Sequence, residues 1–343
     1  MYSESDIDGA VAAGVITPDA ASALRNHIAA NRAAPAVDEE SFRLLTGFND
    51  IFVSIAIALL LVAIAQIGEA IAKPLAGAGI ATASWLLAEY FTRKRRMALP
   101  SILLLLAFVG GVAAALVGAM IQIDPNLPEQ TNAAIGAGIA LIAAGAAWLH
   151  WRRFMVPITI AAGAAALVAT ATGLVIAAVP VAENAVYVIV LVGGLAVFAL
   201  AMWWDMSDTQ RRTRRADVAF WLHLAAAPMI AHPVFQMLGI FGDDVGMGTA
   251  VIVLTLYLIF SFVALAIDRR ALLVSSLVYV LYAMYAIINS AGAVELSAAI
   301  AALVIGSALL MLSAFWHTMR RTVVGTLGGL GGRLPPVATL VPA

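Results

Sequence analysis

The stretch WLHLAAAPMIAHPVFQ, residues 221–236, places two histidines and two prolines in a chain otherwise built largely from Ala, Leu, Val, Ile and Gly. Whether this segment crosses a bilayer fixes the threading of everything after it. Basic residues resist translocation and collect in cytoplasmic loops, so their placement tests a threading independently of hydropathy. With a cytoplasmic N-terminus and residues 217–240 counted as a crossing, the inner segments hold Arg25, Arg32 and Arg43, RKRR at 93–96, RR at 152–153, RRTRR at 211–215, RR at 269–270, and Arg320, Arg321 and Arg333. These are 18 of the 19 Lys and Arg residues, and Lys73 alone falls outside. If residues 217–240 turned back, the basic residues beyond them would change sides and the score would fall to 13 of 19. The stretch reads as a traverse, with both termini cytoplasmic.

The composition agrees. Hydrophobic residues make up 63% of the chain and charged residues 11%, with a mean hydropathy of +0.99, whereas soluble domains carry roughly 25% charged residues. A hydrocarbon core needs about 20 apolar residues per helical crossing. Apolar segments at about 50–72, 74–91, 97–121, 132–149, 154–179, 184–204, 217–240, 247–267, 271–290 and 293–316 predict an all-α, polytopic transmembrane bundle of about ten spans. The outer loops then carry Asp124, Glu129, Glu183, Asp243, Asp244 and Glu295. The formal charge of -1 conceals this asymmetry and gives no reason to expect nucleic acid as a partner. With no cysteine, disulfides, thiolate metal sites, iron–sulfur clusters and c-type haem attachment are excluded.

The acidic start MYSESDIDGA lacks a basic n-region and an apolar h-region, so the first span is expected to serve as an uncleaved anchor. Ahead of it, Thr17 as N-cap, Pro18 at the first helical position and Asp19 near the positive dipole end predict a helix start. The domain reading is a cytoplasmic helical hairpin and linker at 1–37, an interfacial helix at 38–49, a membrane domain at 50–316 and a flexible, Gly- and Pro-rich tail at 317–343. RR doublets recur at the ends of helical hairpins, at 95, 152, 214, 269 and 320. Positive-inside bias generates most of that pattern by itself, and a tandem duplication of hairpins is the alternative. Small residues at every fourth position, Ala161, Ala165, Ala169, Gly173 and Ala177 in the fifth span, Gly136, Ala140 and Ala144 in the fourth, and Ala298, Ala302 and Gly306 in the tenth, mark expected helix seams.

A charge at the bilayer centre costs at least about 2.5 kcal/mol, so chains that keep one there have a use for it. The acids of these spans lie near helix ends, Glu69 four before Lys73 and Glu89 four before Arg93, and read as end-of-helix pairs rather than a proton relay. The seventh span carries the polarity. Pro228 and Pro233 free the carbonyls of Leu224 and Met229 and predict a helix break. Trp221, Pro228, His232 and Gln236 share one helical face, and His223 points the other way, so the two histidines cannot share one metal. Two readings stand: histidines that satisfy freed carbonyls and pin a kink, or a site on a permeation path, where discontinuous helices line cavities. Thr255 and Tyr257 in the eighth span and Tyr279, Tyr282 and Tyr285 in the ninth extend the candidate cavity around His232, Gln236 and His223. Those tyrosines could equally bond across helices.

No HExxH, GxSxG or phosphate-loop motif occurs, so no enzyme, cofactor or metal is expected. AAGVITPDAASAL followed by DEESFRLLTGFNDIFVSIAIALLLVA resembles uncharacterised bacterial polytopic membrane proteins with a short cytoplasmic helical region, mainly over residues 1–70. The resemblance implies a bacterial inner membrane. Ten spans with both ends inside also looks like the drug and metabolite transporter architecture, although that fold pairs inverted halves and the weak repeat here is parallel. The functional expectation is a transporter or permease for a small neutral or amphiphilic solute. The alternative is a membrane scaffold or sensor that meets a cytoplasmic protein through residues 1–37. Lipids are expected partners in either case.

Overall fold

The computed structural model describes residues 4–32, 48–179, 183–209, 211, 213–239, 247–270 and 297–329, with single positions at 273, 277, 280, 281 and 334. Two compact units divide the chain. The first contains α1 (Glu4–Ala12) and α2 (Pro18–Arg32). A turn through Gly14, whose φ of 70° suits glycine, joins them. Thr17 caps α2 by accepting the Ala20 N–H at 3.2 Å, and Arg25 ties the two helices together by donating to Asp8 at 2.7 Å.

The second unit, residues 42–335, consists of helices and their connecting turns, with no strand among the described residues. Its helices are α3 (Phe48–Ile71), α4 (Lys73–Ala88), a π-helical segment (Glu89–Lys94), α5 (Ala98–Ile123), α6 (Glu129–Phe154), α7 (Ile158–Ala178), α8 (Glu183–Met206), α9 (Arg214–Met237), α10 (Met247–Ile267), α11 (Ser297–Ala314) and α12 (Trp316–Thr326). Among the described residues six helices are long and apolar enough to cross a membrane: α3, α5, α6, α7, α8 and α9. A bent pair, 303–314 with 316–326, would make seven, but its halves meet at 74°. The chain is a multi-pass helical membrane protein.

Four of the ten expected spans, the second, eighth, ninth and tenth, are not among these six. The second expected span is divided: α4 has 16 residues, and the six-residue π-helical segment continues it with wider winding. α10 covers the eighth expected span, Met247–Ile267, over 21 residues. The expected ninth span, 271–290, lies largely outside the described residues, as does the interfacial helix expected at 38–49 up to residue 47. Residues 317–326, expected in a flexible tail, belong to α12. Its Trp316 and Arg320 are fully buried.

The closest helix contact joins α4 and α5. A Cβ on Gly77 would lie 2.1 Å from the Ala115 backbone nitrogen, and one on Gly111 would lie 2.7 Å from that of Ala81. The seam named from the fifth span is partly realised, since a Cβ on Gly173 would come within 3.0 Å of α6 at Ala133 and Ala137. Gly136 and Gly306, expected in such seams, face open space: a Cβ on either would meet nothing within 4 Å among the described residues. The buried face of α6 instead runs through Ala137, Ala143, Ala147 and His150.

α9 runs unbroken through both prolines, which corrects the expected break. More than half of its apolar window, 56%, is buried inside the unit, against 11% for α7. Packing around α9 holds the helical path. At Pro233 the carbonyl left without its donor is that of Met229, and here α8 presents Gly194, on which a Cβ would lie 2.9 Å from that oxygen. The missing side chain lets a neighbouring backbone cover the freed acceptor.

Candidate functional site

At the arginine-rich end of the second unit, α8, α9, α10 and α12 converge on a cluster of buried charges. The apolar frame comes first: Val197, Ala201, Val218, Leu222 and Ala226 join α8 to α9, and Ala264, Leu265, Ile267, Leu273 and Trp316 form the adjoining core. Into this frame α8 delivers Asp205, one residue before its end, and α9 delivers His223 from its third turn. Both are buried, as are Asp268, Arg269 and Arg320.

Asp205 is the first centre. Arg269 donates to both of its carboxylate oxygens, through Nε to Oδ2 at 3.1 Å and through Nη2 to Oδ1. His223 Nε2 lies 3.0 Å from Oδ2. An ionised carboxylate offers only acceptors, so this contact requires a proton on Nε2. Arg269 Nη2 also donates to the Ala216 carbonyl at 3.2 Å, and the Phe198 ring packs at a steep angle to the His223 ring at 5.2 Å. His223 Nδ1 has no partner among the described residues.

Asp268 is the second centre. It accepts from Arg211 Nη1 at 2.8 Å and from Trp316 Nε1 at 2.8 Å, and Arg320 Nε approaches it at 3.5 Å. Arg211 also donates to the Asp268 and Ile267 carbonyls, at 3.0 and 3.3 Å. Adjacent residues, Asp268 and Arg269, thus bind opposite partners and join the two centres through one peptide. Arg211 and Asp268 both have left-handed backbones, with φ of 52° and 59°. That conformation is unfavourable for a residue with a Cβ and persists where the surroundings over-determine it.

Beside this cluster lies a cavity of about 160 Å³ lined by Arg270, Leu273, Leu277, Leu309, Leu312, Ser313 and Trp316. Its walls are mostly apolar, and Arg270 stacks its guanidinium 4.8 Å over the Trp316 ring. Trp316 therefore belongs to both features, with its indole N–H bound to Asp268 and its face turned to a cation.

The residues singled out in the sequence are not brought together. His223 is buried in the cluster, but His232 lies on the exposed side of α9, with the Tyr187 ring edge-on at 6.1 Å. Pro228 is exposed, Gln236 half-buried and Pro233 buried. Thr255 is exposed and donates to the Val251 carbonyl of its own helix at 2.8 Å. Tyr257 is half-buried between the two cores that α10 shares. Tyr279, Tyr282 and Tyr285 lie outside the described residues. The opposite orientation of the two histidines holds, and the face carrying His232 points away from the buried ions.

Asp205, Asp268, Arg211, Arg269 and Arg320 were not singled out in the sequence, where the arginines read as loop charges. The signal was present: WWD at 203–205 and IDRR at 267–270 each put a lone acid where an apolar run meets the basic end. His150 is fully buried among Trp85, Phe108 and Phe154, with ring centroids 4.6 to 6.2 Å away. Neither of its ring nitrogens has a partner among the described residues.

Comparison with known protein families, with curated proteins and with solved structures finds no match.

Proposed function

We propose that the chain is a permease for a small amphiphilic solute in a bacterial inner membrane, with its arginine-rich end in the cytoplasm and the Asp205–Arg269–His223 cluster acting as the inner gate. One observation carries this reading: a buried ionic cluster ties four helices together at one end of the bundle. Removing two charges from water and pairing them is often no more stabilising than packed apolar side chains, so stability alone is a weak reason to keep such a cluster. Ionisable groups inside a membrane bundle are by default functional. Ion pairs suit a gate because they are directional, and they exchange for water when the helices part. The apolar cavity beside Trp316, with Arg270 at its edge, has the character of a site for an apolar body with an anionic or polar head.

The test replaces the cluster by apolar side chains of similar size, Asp205→Leu, His223→Leu and Arg269→Met together, in protein reconstituted into liposomes and screened with a panel of small amphiphilic solutes. The triple variant is expected to keep or raise its unfolding midpoint while losing controlled flux, either as a permanent block or as a leak. Unchanged flux of every solute that the wild type carries removes the gate. The absence of native cysteine makes sidedness simple to measure, because single cysteines at Arg95 and Glu129 report without background. A membrane-impermeant maleimide should reach the second from outside intact cells and not the first.

A further inference from the structure

At the basic end of α4, four successive cations, Arg93, Lys94, Arg95 and Arg96, are exposed, and two more, Arg152 and Arg153, are exposed at the end of α6. The fold brings the two groups together through one carboxylate. Arg153 donates to Glu89 through Nε at 2.6 Å and Nη2 at 2.9 Å, and Arg93 reaches the same group at 3.3 Å. Six cations against one acid leave an excess of five positive charges on a patch shared by two helix ends.

Two rings set the level of this patch. Arg95 lies 5.8 Å over Tyr90 and Arg152 lies 5.1 Å over Trp148. Both rings are open to the outside of the bundle, Tyr90 at 45% and Trp148 at 58% exposure. Tyr and Trp so placed mark the boundary between hydrocarbon and headgroups. Leu86 and Leu149, also exposed, continue the apolar surface beside them. The guanidinium planes therefore sit where acyl chains end and phosphates begin. The backbone is unusual here too: the cations follow a π-helical segment, a form concentrated at functional sites, and Arg96 has a left-handed φ of 53°.

We infer that this patch is a binding site for the phosphate headgroup of an anionic phospholipid, with Arg95 and Arg152 as its principal contacts and Tyr90 and Trp148 beside the first acyl carbons. The inference rests on the chain spanning a membrane and is independent of the gate. Guanidinium groups match phosphate oxygens in charge and fork geometry. Glu89 keeps Arg153 on the protein and leaves its neighbours to the lipid.

The experiment titrates the purified full-length chain, in neutral detergent, with brominated phosphatidylglycerol or brominated phosphatidylcholine and reads quenching of tryptophan fluorescence. The anionic lipid should quench at a much lower mole fraction than the zwitterionic one. In an Arg95→Ala, Arg152→Ala variant with a wild-type unfolding midpoint, that preference should fall by about 25-fold, at about fivefold for each cation removed. Lys94→Gln with Arg96→Gln repeats the test outside the two ring contacts, should the first variant fail to fold. Equal quenching by the two lipids in the wild type, or an undiminished preference in a folded variant, overturns the site. Loss of the anionic-lipid preference on adding millimolar inorganic phosphate at fixed ionic strength assigns the patch to free phosphate and overturns the lipid.

Discussion

Glu89 and Asp205 each receive a bidentate arginine from 64 residues further along the chain, through the same pair of guanidinium nitrogens, Nε and Nη2. The surroundings of the two pairs also correspond. In chain order the acid lies at the end of α4 or α8, a second helix follows, α5 or α9, and the arginine lies at the end of the third, α6 or α10. The turn after the acid holds a left-handed residue, Arg96 in one case and Arg211 in the other, and so does the turn at the arginine, Met155 and Asp268. What differs is burial. The Glu89 and Arg153 side chains are 31% and 40% exposed, whereas those of Asp205 and Arg269 are at 2% and 3%. One arrangement yields a surface clasp in the first case and a sealed ionic core in the second, where α9 meets the pair with His223 on the acid and the Ala216 carbonyl on the arginine.

Removing the buried acid should have the largest effect. Asp205→Ala leaves Arg269 desolvated without its carboxylate, and stripping one partner from a buried pair costs about 3–5 kcal/mol. Reversible unfolding in mixed micelles, read by the midpoint and the extrapolated free energy, is the measurement. A loss below about 1 kcal/mol would show that water reaches Arg269 and that the second pair is buried only in appearance.

Helix contact distinguishes the two layouts in the opposite sense. In the first, α4 and α5 touch backbone to backbone at Gly77 and Gly111, and no ion is needed to hold them. Gly77→Leu must push the helices apart, at about 1–3 kcal/mol or more. Gly110→Leu, one residue from the seam and facing open space, should leave the midpoint in place. Equal effects from the two would mean that the α4–α5 contact is looser than its geometry.

Trp316→Phe keeps the ring that packs against Ala264 and Leu273 and deletes one donor to Asp268. Losing a hydrogen bond to a buried charged group predicts about 1–3 kcal/mol. The same variant should weaken solute binding at the adjoining cavity by less than Trp316→Ala does, since the phenyl face remains under Arg270.

Class and helical composition were legible in the sequence because each follows from composition and one-dimensional spacing. Helix-face arithmetic also placed His223 opposite His232. The ionic cluster was not legible. Its members come from residues 205, 211, 223, 268, 269, 316 and 320, and no periodicity announces that an arginine in a connecting turn will fold inward rather than face water. The proline break failed for a related reason: local rules price the lost hydrogen bond, but only the packed neighbour, here Gly194, decides whether the helix must bend.

The smallest effect closes the comparison. Glu89→Ala removes a carboxylate with the same bidentate geometry as Asp205, yet the arginines it leaves behind stay in water or among headgroups. Exposed ion pairs contribute little, and salt screens what remains. No shift of the unfolding midpoint is expected, and none should emerge as salt is lowered toward the micelle's tolerance. The patch itself should respond differently, because Glu89→Ala raises its excess charge from five to six and should strengthen quenching by brominated phosphatidylglycerol. A midpoint that falls as far as that of Asp205→Ala would mean that exposure does not separate the two pairs, and the contrast between clasp and core would fail with it.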